Sequence, residues 1–284
     1  MVKSVWRHKV LRYKTSVACI LLSMYSGCAA EEATAQQRET DHVWESFPLS
    51  RCGDPILLPV TVDGEVKPFL LASNSAVHLF DVSLQNLVGP AVGSGVAVDG
   101  GGAHVQLSEV VSPRLFVGTV SVPTRTDRPS LLFDFGPIRQ GLEQDVRGAL
   151  AASFFRDKLV QIDFDQCVLR LATRDVPIAD LGAPLPLTLD DNEVPWMEGV
   201  EVGGRQESFM VSTGSNGTIT LHKWLFEALV TDGQLELEEG ESQGESVAGP
   251  CAARVGLVRT FSCGEYHHQD LLVEEGGLNT LGLG

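Results

Sequence analysis

Two stretches of sequence that lie 140 residues apart decide the fold: FLLASNSAVHLF at 69–80 and FMVSTGSNGTIT at 209–220. Directly before them, VDGEVKP at 62–68 aligns without a gap with VGGRQES at 202–208. Each unit has the pattern of a strand, a Gly-containing turn, a second strand and a loop of small residues. This ungapped match indicates that the body of the chain is an internal duplication.

A short amphipathic helix is predicted after each loop, over 81–87 in the first half and 221–229 in the second. In the second helix the spacing predicts that Trp224, Leu225 and Leu229 face inward. Residues 147–172 predict a short helix and then two strands. The final residues, LNTLGLG at 278–284, resemble the start of that segment, with Leu281 in the place of Leu150. The second half is therefore expected to lack counterparts of residues 158–172.

The composition indicates a folded, β-rich protein that does not bind nucleic acid. The 284 residues carry 37 acidic and 21 basic side chains, a net charge of −16, whereas nucleic acid requires clustered Lys and Arg. Hydrophobic residues make up 43%, which is ordinary for a globular protein. With 29 Gly, 14 Pro and few helical patterns, strands and turns are favoured. No motif predicts a cofactor.

The N-terminus has the pattern of a bacterial secretory signal over residues 1–28. Five bases and no acid precede an apolar stretch at 17–24, and small residues follow. Cys28 ends Tyr-Ser-Gly-Cys, which resembles a lipoprotein cleavage box with Tyr25 where Leu is usual. We expect export to the periplasm or cell surface, with a lipid on Cys28 as the only membrane attachment, and otherwise secretion. Residues 29–50 would form a polar tether.

Export favours disulfide bonds between the four later cysteines. Cys52, Cys167, Cys251 and Cys263 allow three pairings that the sequence alone leaves open. None has Cys-x-x-Cys spacing, so no metal site is predicted.

The duplicated motifs resemble those of aspartic peptidases, in the retropepsin-like form that occurs as a two-lobed single chain. That family has an apolar strand ending in Asp-Thr-Gly, and later a small-residue helix followed by an Ile-Asp-Phe strand. Residues 209–221 match the first motif at Thr213, Gly214 and Ser215, residues 69–81 match its flanks, and residues 149–164 match the later motif. The resemblance implies an all-β fold with a few short helices and two similar lobes around a cleft. The first lobe would span 51–175, the linker 176–187, and the second, C-terminally incomplete lobe 188–284.

The family's catalytic residues are absent. Each lobe should supply one Asp, but those positions hold Ala72 and Ser212. The chemistry needs two close carboxylates that share a proton. Ser73 and Asn74 also replace the usual Thr-Gly. This predicts that the hydrogen bonding between the two loops, here called the grip, is altered on that side.

We therefore expect an aspartic endopeptidase homologue that is inactive and binds an extended peptide or protein in its cleft. Thr213 and Gly214 would keep the second lobe's side of the grip. The alternatives are an active peptidase with an atypical site and a structural or interaction lipoprotein without a ligand.

The resemblance also implies a pairing of the cysteines. Cys52 precedes the first strand of the first lobe and Cys167 lies in its last, and terminal strands of a lobe lie near one another in this family. This implies a Cys52–Cys167 bond. Cys251 and Cys263 are close in sequence, and a hairpin is expected between them, so we expect a second bond between these two.

Other polar residues are expected to be structural. Asp81 is predicted to cap a helix, and Asp163 and Asp165 to form a strand turn. His267 and His268 are adjacent on a strand, so they face opposite sides and are expected at the surface.

The alternative to a structural role for the loop serines is a catalytic site with a serine nucleophile. Ser212 or Ser215 would then use His78 or His222 as base, but no Gly-x-Ser-x-Gly elbow surrounds either serine.

Two Gly- or Glu-rich segments occupy equivalent places in the halves. Residues 99–102, Asp-Gly-Gly-Gly, predict a hairpin tip where the family has its substrate-covering flap. The corresponding region, 236–249, is rich in Glu and is expected to be a solvated acidic loop.

Overall fold

A computed structural model describes residues 20–22, 44–49, 55–98, 104–173, 184–214, 219–246, 249–278 and 280–282. These residues form 21 strands and three short α-helices, which confirms the prediction of an all-β fold with a few short helices.

The elements are as follows. In the first half the strands are β1 (Ile20–Leu22), β2 (Glu45–Pro48), β3 (Leu57–Val62), β4 (Glu65–Leu71), β5 (Leu79–Asp81), β6 (Ala91–Val98), β7 (His104–Val110), β8 (Leu115–Val117), β9 (Val120–Val122), β10 (Ser130–Phe133), β11 (Gly148–Leu150), β12 (Lys158–Asp163) and β13 (Val168–Thr173). In the second half they are β14 (Thr188–Leu189), β15 (Pro195–Val202), β16 (Arg205–Ser212), β17 (Ile219–His222), β18 (Leu235–Ser246), β19 (Gly249–Cys263), β20 (Tyr266–Gly276) and β21 (Thr280–Gly282). The helices are α1 (Gln85–Val88), α2 (Gly136–Leu142) and α3 (Lys223–Thr231), with 3₁₀ turns at Val82–Leu84 and Ala152–Phe155.

The duplicated hairpins have the same register in both halves. β3 pairs with β4 so that Val62 lies opposite Glu65, and β15 pairs with β16 so that Val202 lies opposite Arg205. Both turn residues have positive φ in each half, 47° and 86° in the first and 55° and 79° in the second. This is the type I′ geometry that Asp-Gly and Gly-Gly favour because it matches the twist of the strands.

The halves also repeat a pattern of mixed strand pairing. β11 lies between β4, to which it is parallel, and β5, to which it is antiparallel. β21 makes the same pairings with β16 and β17. Leu150 lies opposite Leu71, and Leu281 lies opposite Val211, which confirms that Leu281 takes the place of Leu150. Among the described strands, none follows β21 as β12 and β13 follow β11.

Three sheets carry these elements. Their strand orders are β1-β12-β13-β2, β6-β7-β10-β5-β11-β4-β3-β8-β9 and β14-β15-β16-β21-β17-β20-β19-β18. The first two sheets share one apolar core, which includes Phe69, Phe80 and Phe154. The third encloses a separate core around Phe209 and Phe226. Burial of these large side chains supplies the main stabilising free energy of each half.

The helices agree with the prediction only in part, and α2 was not predicted. Asp81 caps the first helical segment, where its side chain accepts a hydrogen bond from the Ser83 amide, as predicted. In the second half β17 extends through His222, so α3 begins two residues later than expected. Leu225, Phe226 and Leu229 are buried and Trp224 is 49% exposed, so the prediction that Trp224 faces inward is wrong.

Both predicted flap regions are hairpins. β6 pairs with β7, and Val98 lies opposite His104, which confirms the first hairpin; its tip, 99–103, lies outside the described residues. The Glu-rich region is not a loop: it forms β18, which pairs with β19. Its Glu side chains up to Glu241 are exposed, so an edge strand carries the charge without burying it.

The predicted bond between Cys251 and Cys263 is wrong. Both residues lie on β19, which runs without a turn from Gly249 to Cys263. Twelve residues of extended strand span ~40 Å, whereas a disulfide requires Cα atoms within about 7 Å. Cys263 is a buried free thiol. Cys167 is disulfide-bonded, and its partner lies outside the described residues, as do Cys52 and Cys28.

Three predicted segments lie mostly outside the described residues. They are the signal, the tether and the linker at 176–187. Within the predicted signal, β1 pairs with β12 along its edge. None of the helices in the described part of the chain is both long enough and apolar enough to cross a membrane.

Candidate functional site

The duplicated loops of the two halves meet each other. Ala72, Ser73 and Asn74 follow β4, and Ser212 ends β16 before Thr213 and Gly214. Ala72, Ser73, Ser212 and Thr213 are all buried. Each loop therefore follows a strand whose apolar residues are buried in the core of its own half.

Four reciprocal hydrogen bonds join the loops. The Ser73 amide donates to Thr213 Oγ1 at 3.0 Å, and the Thr213 amide donates to Ser73 Oγ at 2.9 Å. Each hydroxyl then donates across to the other strand, Ser73 Oγ to Val211 O and Thr213 Oγ1 to Leu71 O, both at 2.7 Å. Each hydroxyl thus donates its one O–H bond and accepts one hydrogen bond.

The expectation that Ser73 alters this grip is wrong. Ser73 makes the same two kinds of bond as Thr213, because serine and threonine carry the same hydroxyl. Only a methyl group distinguishes them. The hydrogen bonds of the paired loops therefore have an approximate two-fold symmetry, which relates Ser73 to Thr213.

The residues that precede the two hydroxyl residues carry no carboxylate. They are Ala72 and Ser212, and Ser212 Oγ is buried without a hydrogen-bond partner. Gly214 lies against the first loop: a Cβ atom built on it would be 3.5 Å from the Ala72 Cβ and 3.6 Å from Asn74 Oδ1. A methyl group and an unpartnered hydroxyl thus occupy the paired positions.

Neither histidine considered as a base is hydrogen-bonded to Ser212. His78 accepts the Ala151 amide at Nδ1, 3.0 Å away, and donates from Nε2 to Pro123 O at 2.9 Å. Burial lowers the pKa of His78 below 6.5. His222 caps α3, where its Nδ1 accepts the Trp224 amide. Ser215 lies outside the described residues.

Asp81 has a larger structural role than capping. Its carboxylate also accepts bonds from the Phe135 amide at 2.9 Å and from Arg139 Nη1 at 2.6 Å, and Arg147 lies 3.6 Å away. Burial alone would raise the pKa of Asp81, but these bonds and that of Ser83 outweigh it and lower the pKa below 3.8. Asp81 thus joins β5 to the start of α2.

The remaining candidates have structural roles. Asp163 accepts the Gln166 amide in the turn between β12 and β13, and Asp165 is exposed in that turn, as predicted. His267 and His268 are exposed on β20, also as predicted. In the portion of the chain that the structure covers, no group of His, Cys, Asp or Glu side chains is arranged to hold a metal ion.

The buried amine of Lys158 was not predicted. This residue is 8% exposed, its Nζ lies 5.3 Å from the centre of the Phe154 ring, and its one hydrogen bond goes to Arg156 O at 3.4 Å. Burial lowers its pKa to about 8. A lysine at the start of a strand is ordinarily exposed. The burial of Lys158 becomes visible only in the structure, where the 3₁₀ turn Ala152–Phe155 packs over its side chain.

An apolar cluster surrounds Ala72. It contains Leu70, Phe133, Phe135, Val146 and Ala149 as further buried members. The two Phe rings stack with their centres 4.5 Å apart. Val105 and Leu107 of β7 pack against this cluster, so one face of the β6–β7 hairpin lies over the apolar surface beside the paired loops.

A second set of contacts joins the halves beside the loops. Val194 and Met210 pack against Ala152. Arg156 forms an ion pair with Glu193, and Arg125 Nη1 donates to Asp191 O at 3.3 Å. Arg128 donates to the Asn192 side chain. The turn at 190–194 is thus the part of the second half that these residues contact.

Comparison with known proteins gives only remote similarities. No family model matches the chain, and no curated protein matches it in sequence. It is similar to the crystal structure of a retropepsin-like aspartic protease from Rickettsia conorii, with 17% identity and a TM-score of 0.26, over 34% of this chain and 71% of that one. It is also similar to basic 7S globulin from soybean, with 11% identity and a TM-score of 0.43, over 85% of this chain and 89% of that one. We draw no functional conclusion from these two similarities.

Proposed function

We propose that the chain is an exported, aspartic-peptidase-like protein that binds extended peptides between its two halves without cleaving them. The observation that carries this proposal is the reciprocal bonding of Ser73 and Thr213 next to Ala72 and Ser212. The loops keep the support that would position a pair of carboxylates, while the carboxylates themselves are replaced.

The replacements remove both chemical roles of the pair. One carboxylate would take a proton from water and the other would donate one to the scissile carbonyl. The Ala72 methyl group does neither. Ser212 has no hydrogen-bonded base to activate it, and it is 0% exposed.

Peptide binding is supported by the surroundings of the loops. The β6–β7 hairpin packs with Val105 and Leu107 on the cluster around Ala72. An extended peptide beside this hairpin would gain main-chain hydrogen bonds from a strand and side-chain specificity from the apolar cluster. We therefore propose that the preferred peptides carry aromatic or aliphatic side chains.

A peptide-retention experiment tests the binding. The purified protein is incubated with a mixed peptide pool, separated by size, and the retained peptides are sequenced by mass spectrometry. We expect intact, apolar-enriched peptides, and we expect Asn74→Trp, at an exposed position in the first loop, to abolish retention. Ser121→Trp, at an exposed position on β9, is the matched control and should retain them. Equal retention by both variants would contradict binding beside the loops.

An active serine peptidase is the first alternative. It requires a base for Ser212, and neither His78 nor His222 serves, since no bond joins them to the hydroxyl. Cleavage of the pool that Ser212→Ala abolishes, and that a transition-state mimic of aspartic peptidases does not inhibit, would establish this alternative and refute ours.

A structural or interaction lipoprotein without a ligand is the second alternative. Its supporting observation is the packing of Ala72, 8% exposed, among Phe133 and Phe135, which fills part of the space beside the loops. Absence of retained peptides at every pH from 4 to 8 would favour it.

Export and lipid attachment complete the proposal. Their basis is the order of bases, apolar residues and small residues in 1–28. Intact-mass measurement of protein from its native host should lack residues 1–27, and a lipid increment on Cys28 would distinguish anchoring from secretion. A mass that includes Met1 would contradict export by this signal.

A further inference from the structure

His78 connects two segments of the first half that contact the turn at 190–194 of the second half. Its Nε2 donates to Pro123 O, and its Nδ1 accepts the amide of Ala151. Pro123 begins the segment 123–128, and Ala151 precedes the 3₁₀ turn Ala152–Phe155. Ser153 Oγ also donates to Pro123 O, at 3.2 Å, so the imidazole and a hydroxyl hold the two segments together.

Both segments contact the same turn of the second half. From 123–128, Arg125 and Arg128 bond the turn at 190–194. From the other segment, Ala152 packs on Val194 and Met210, and Arg156 pairs with Glu193. The position of this turn relative to the first half therefore depends on two segments that His78 holds together.

The same segments support the paired loops. The Ala72 amide donates to Leu150 O at 2.9 Å, and the Ala152 amide donates to Ser75 O at 2.9 Å. Displacement of 150–152 would therefore disturb the hydrogen bonds at both ends of the first loop.

Only one protonation state of His78 fits these bonds. An acceptor at Nδ1 and a donor at Nε2 define the neutral Nε2–H tautomer. A proton on Nδ1 would face the Ala151 N–H, and that hydrogen bond would be lost. The charged group that faces the ring from β12 is Lys158, which repels a second positive charge, and the ring itself is 2% exposed.

We propose that His78 is an acid-sensitive latch between the halves: protonation of its Nδ1 releases Ala151 and loosens both segments from the turn at 190–194. Opening of the latch in acid agrees with the direction in which the surroundings of His78 shift its pKa. Burial and Lys158 both lower the pKa of His78 below 6.5, whereas the bond to Pro123 opposes them. A buried base with a lowered pKa makes the native state less stable as the pH falls from about 6.5 towards the folded-state pKa, because the unfolded chain binds the proton first. The latch is therefore closed at neutral pH and opens in acid.

Amide exchange across a pH series tests this proposal in the full chain. Between pH 7.5 and 5, with intrinsic exchange rates corrected for pH, we expect exchange at 151–156 to accelerate by about tenfold, as for the loss of one buried hydrogen bond. Trp196, which packs on the Ala152 cluster, reports the same change by a red shift of its emission. His78→Gln, which supplies an uncharged N–H to Pro123, should abolish the pH dependence. His267→Gln, at an exposed site, should leave it unchanged.

Two measurements separate the latch from other acid effects. The other acidic side chains at this contact are Asp190, Asp191 and Glu193 of the turn and Asp127 of the facing segment. In Glu193→Gln the contacts should be looser at every pH, but the midpoint should stay at that of wild type. If His78→Gln does not fold, nitrogen NMR of the wild-type ring gives the test: we expect the Nε2–H tautomer at pH 7.5 and a midpoint equal to that of the exchange. Accelerated exchange while the ring stays neutral would overturn the proposal, and so would unchanged exchange at a pH at which NMR shows the ring to be protonated.

Discussion

Removal of one hydroxyl from the paired loops should destabilise both halves together. Thr213 Oγ1 donates to Leu71 O and accepts the Ser73 amide, in a fully buried position. Thr213→Val keeps the shape and leaves these two groups without that partner. Each buried group so deprived costs about 1–3 kcal/mol, so for the two groups we expect a loss of about 2–6 kcal/mol in the free energy of unfolding.

Ser73→Ala is the symmetric change, and the pair forms a double-mutant cycle. Ser73 Oγ makes the equivalent bonds to Val211 O and the Thr213 amide, so we expect a similar cost. Once one hydroxyl is lost the loops separate more easily, so the double variant should lose less than the sum, with a coupling of about 1 kcal/mol or more.

Urea unfolding followed by circular dichroism measures these free energies at neutral pH. Thr260→Val, an exposed threonine on β19, is the control and should change stability by no more than about 0.5 kcal/mol. A loss below that value for Thr213→Val would refute the reasoning. Full additivity in the double variant would show that the two hydroxyls do not act as one unit.

Three other predictions concern groups outside the loops. Asp81→Asn should cost about 3 kcal/mol, because it removes the buried negative charge that Arg139 Nη1 contacts at 2.6 Å. Because the pKa of Asp81 is lowered, its contribution is present above about pH 4 and is lost as the pH falls, so thermal unfolding of the variant should depend less on acid than that of wild type. Lys158→Met should stabilise the protein at pH 7 by up to about 3 kcal/mol, because the pKa of about 8 against 10.5 measures the cost of the buried charge. Wild-type stability should accordingly rise between pH 8 and 10.5 and that of the variant should not; a less stable variant would contradict this. Non-reducing peptide mapping should link Cys167 to Cys52, and a bond from Cys167 to Cys251 or Cys263 would refute the pairing.

The duplicated parts of the fold could be predicted from the sequence. The 140-residue offset between the halves is the same offset that separates Ser73 from Thr213 in their mutual hydrogen bonds. It could be predicted because a Gly-containing turn, an alternating strand and a small-residue loop are local signals, and their repetition doubles each signal.

The errors arose where tertiary packing overrides local pattern. The Glu-rich segment is strand because pairing with β19 satisfies its backbone while its side chains stay in water. Cys251 and Cys263 lie on one strand because no turn residue stops β19, although their sequence separation suits a hairpin. Trp224 faces outward because the buried face of α3 consists of Leu225, Phe226 and Leu229.

The chemistry around the loops was only partly predictable. The sequence places Ala72 and Ser212 at the paired positions, but it does not reveal that Ser73 bonds as a threonine would. Nor does it reveal the burial of His78, which is held by segments distant in sequence, or that of Lys158, which depends on how the neighbouring 3₁₀ turn packs over its side chain. Contacts of this kind depend on the assembled sheets and carry no local signal.

Hydrolysis of a mixed peptide pool by the purified wild-type protein tests the central claim most directly. The assay runs from pH 3 to 7.5, with and without a transition-state mimic of aspartic peptidases, and products are counted by mass spectrometry. With Ala72 and Ser212 in place of two carboxylates, we predict no cleavage that the mimic inhibits at any pH, because no pair of groups can share the proton that activates water. Cleavage that the mimic suppresses would contradict the account.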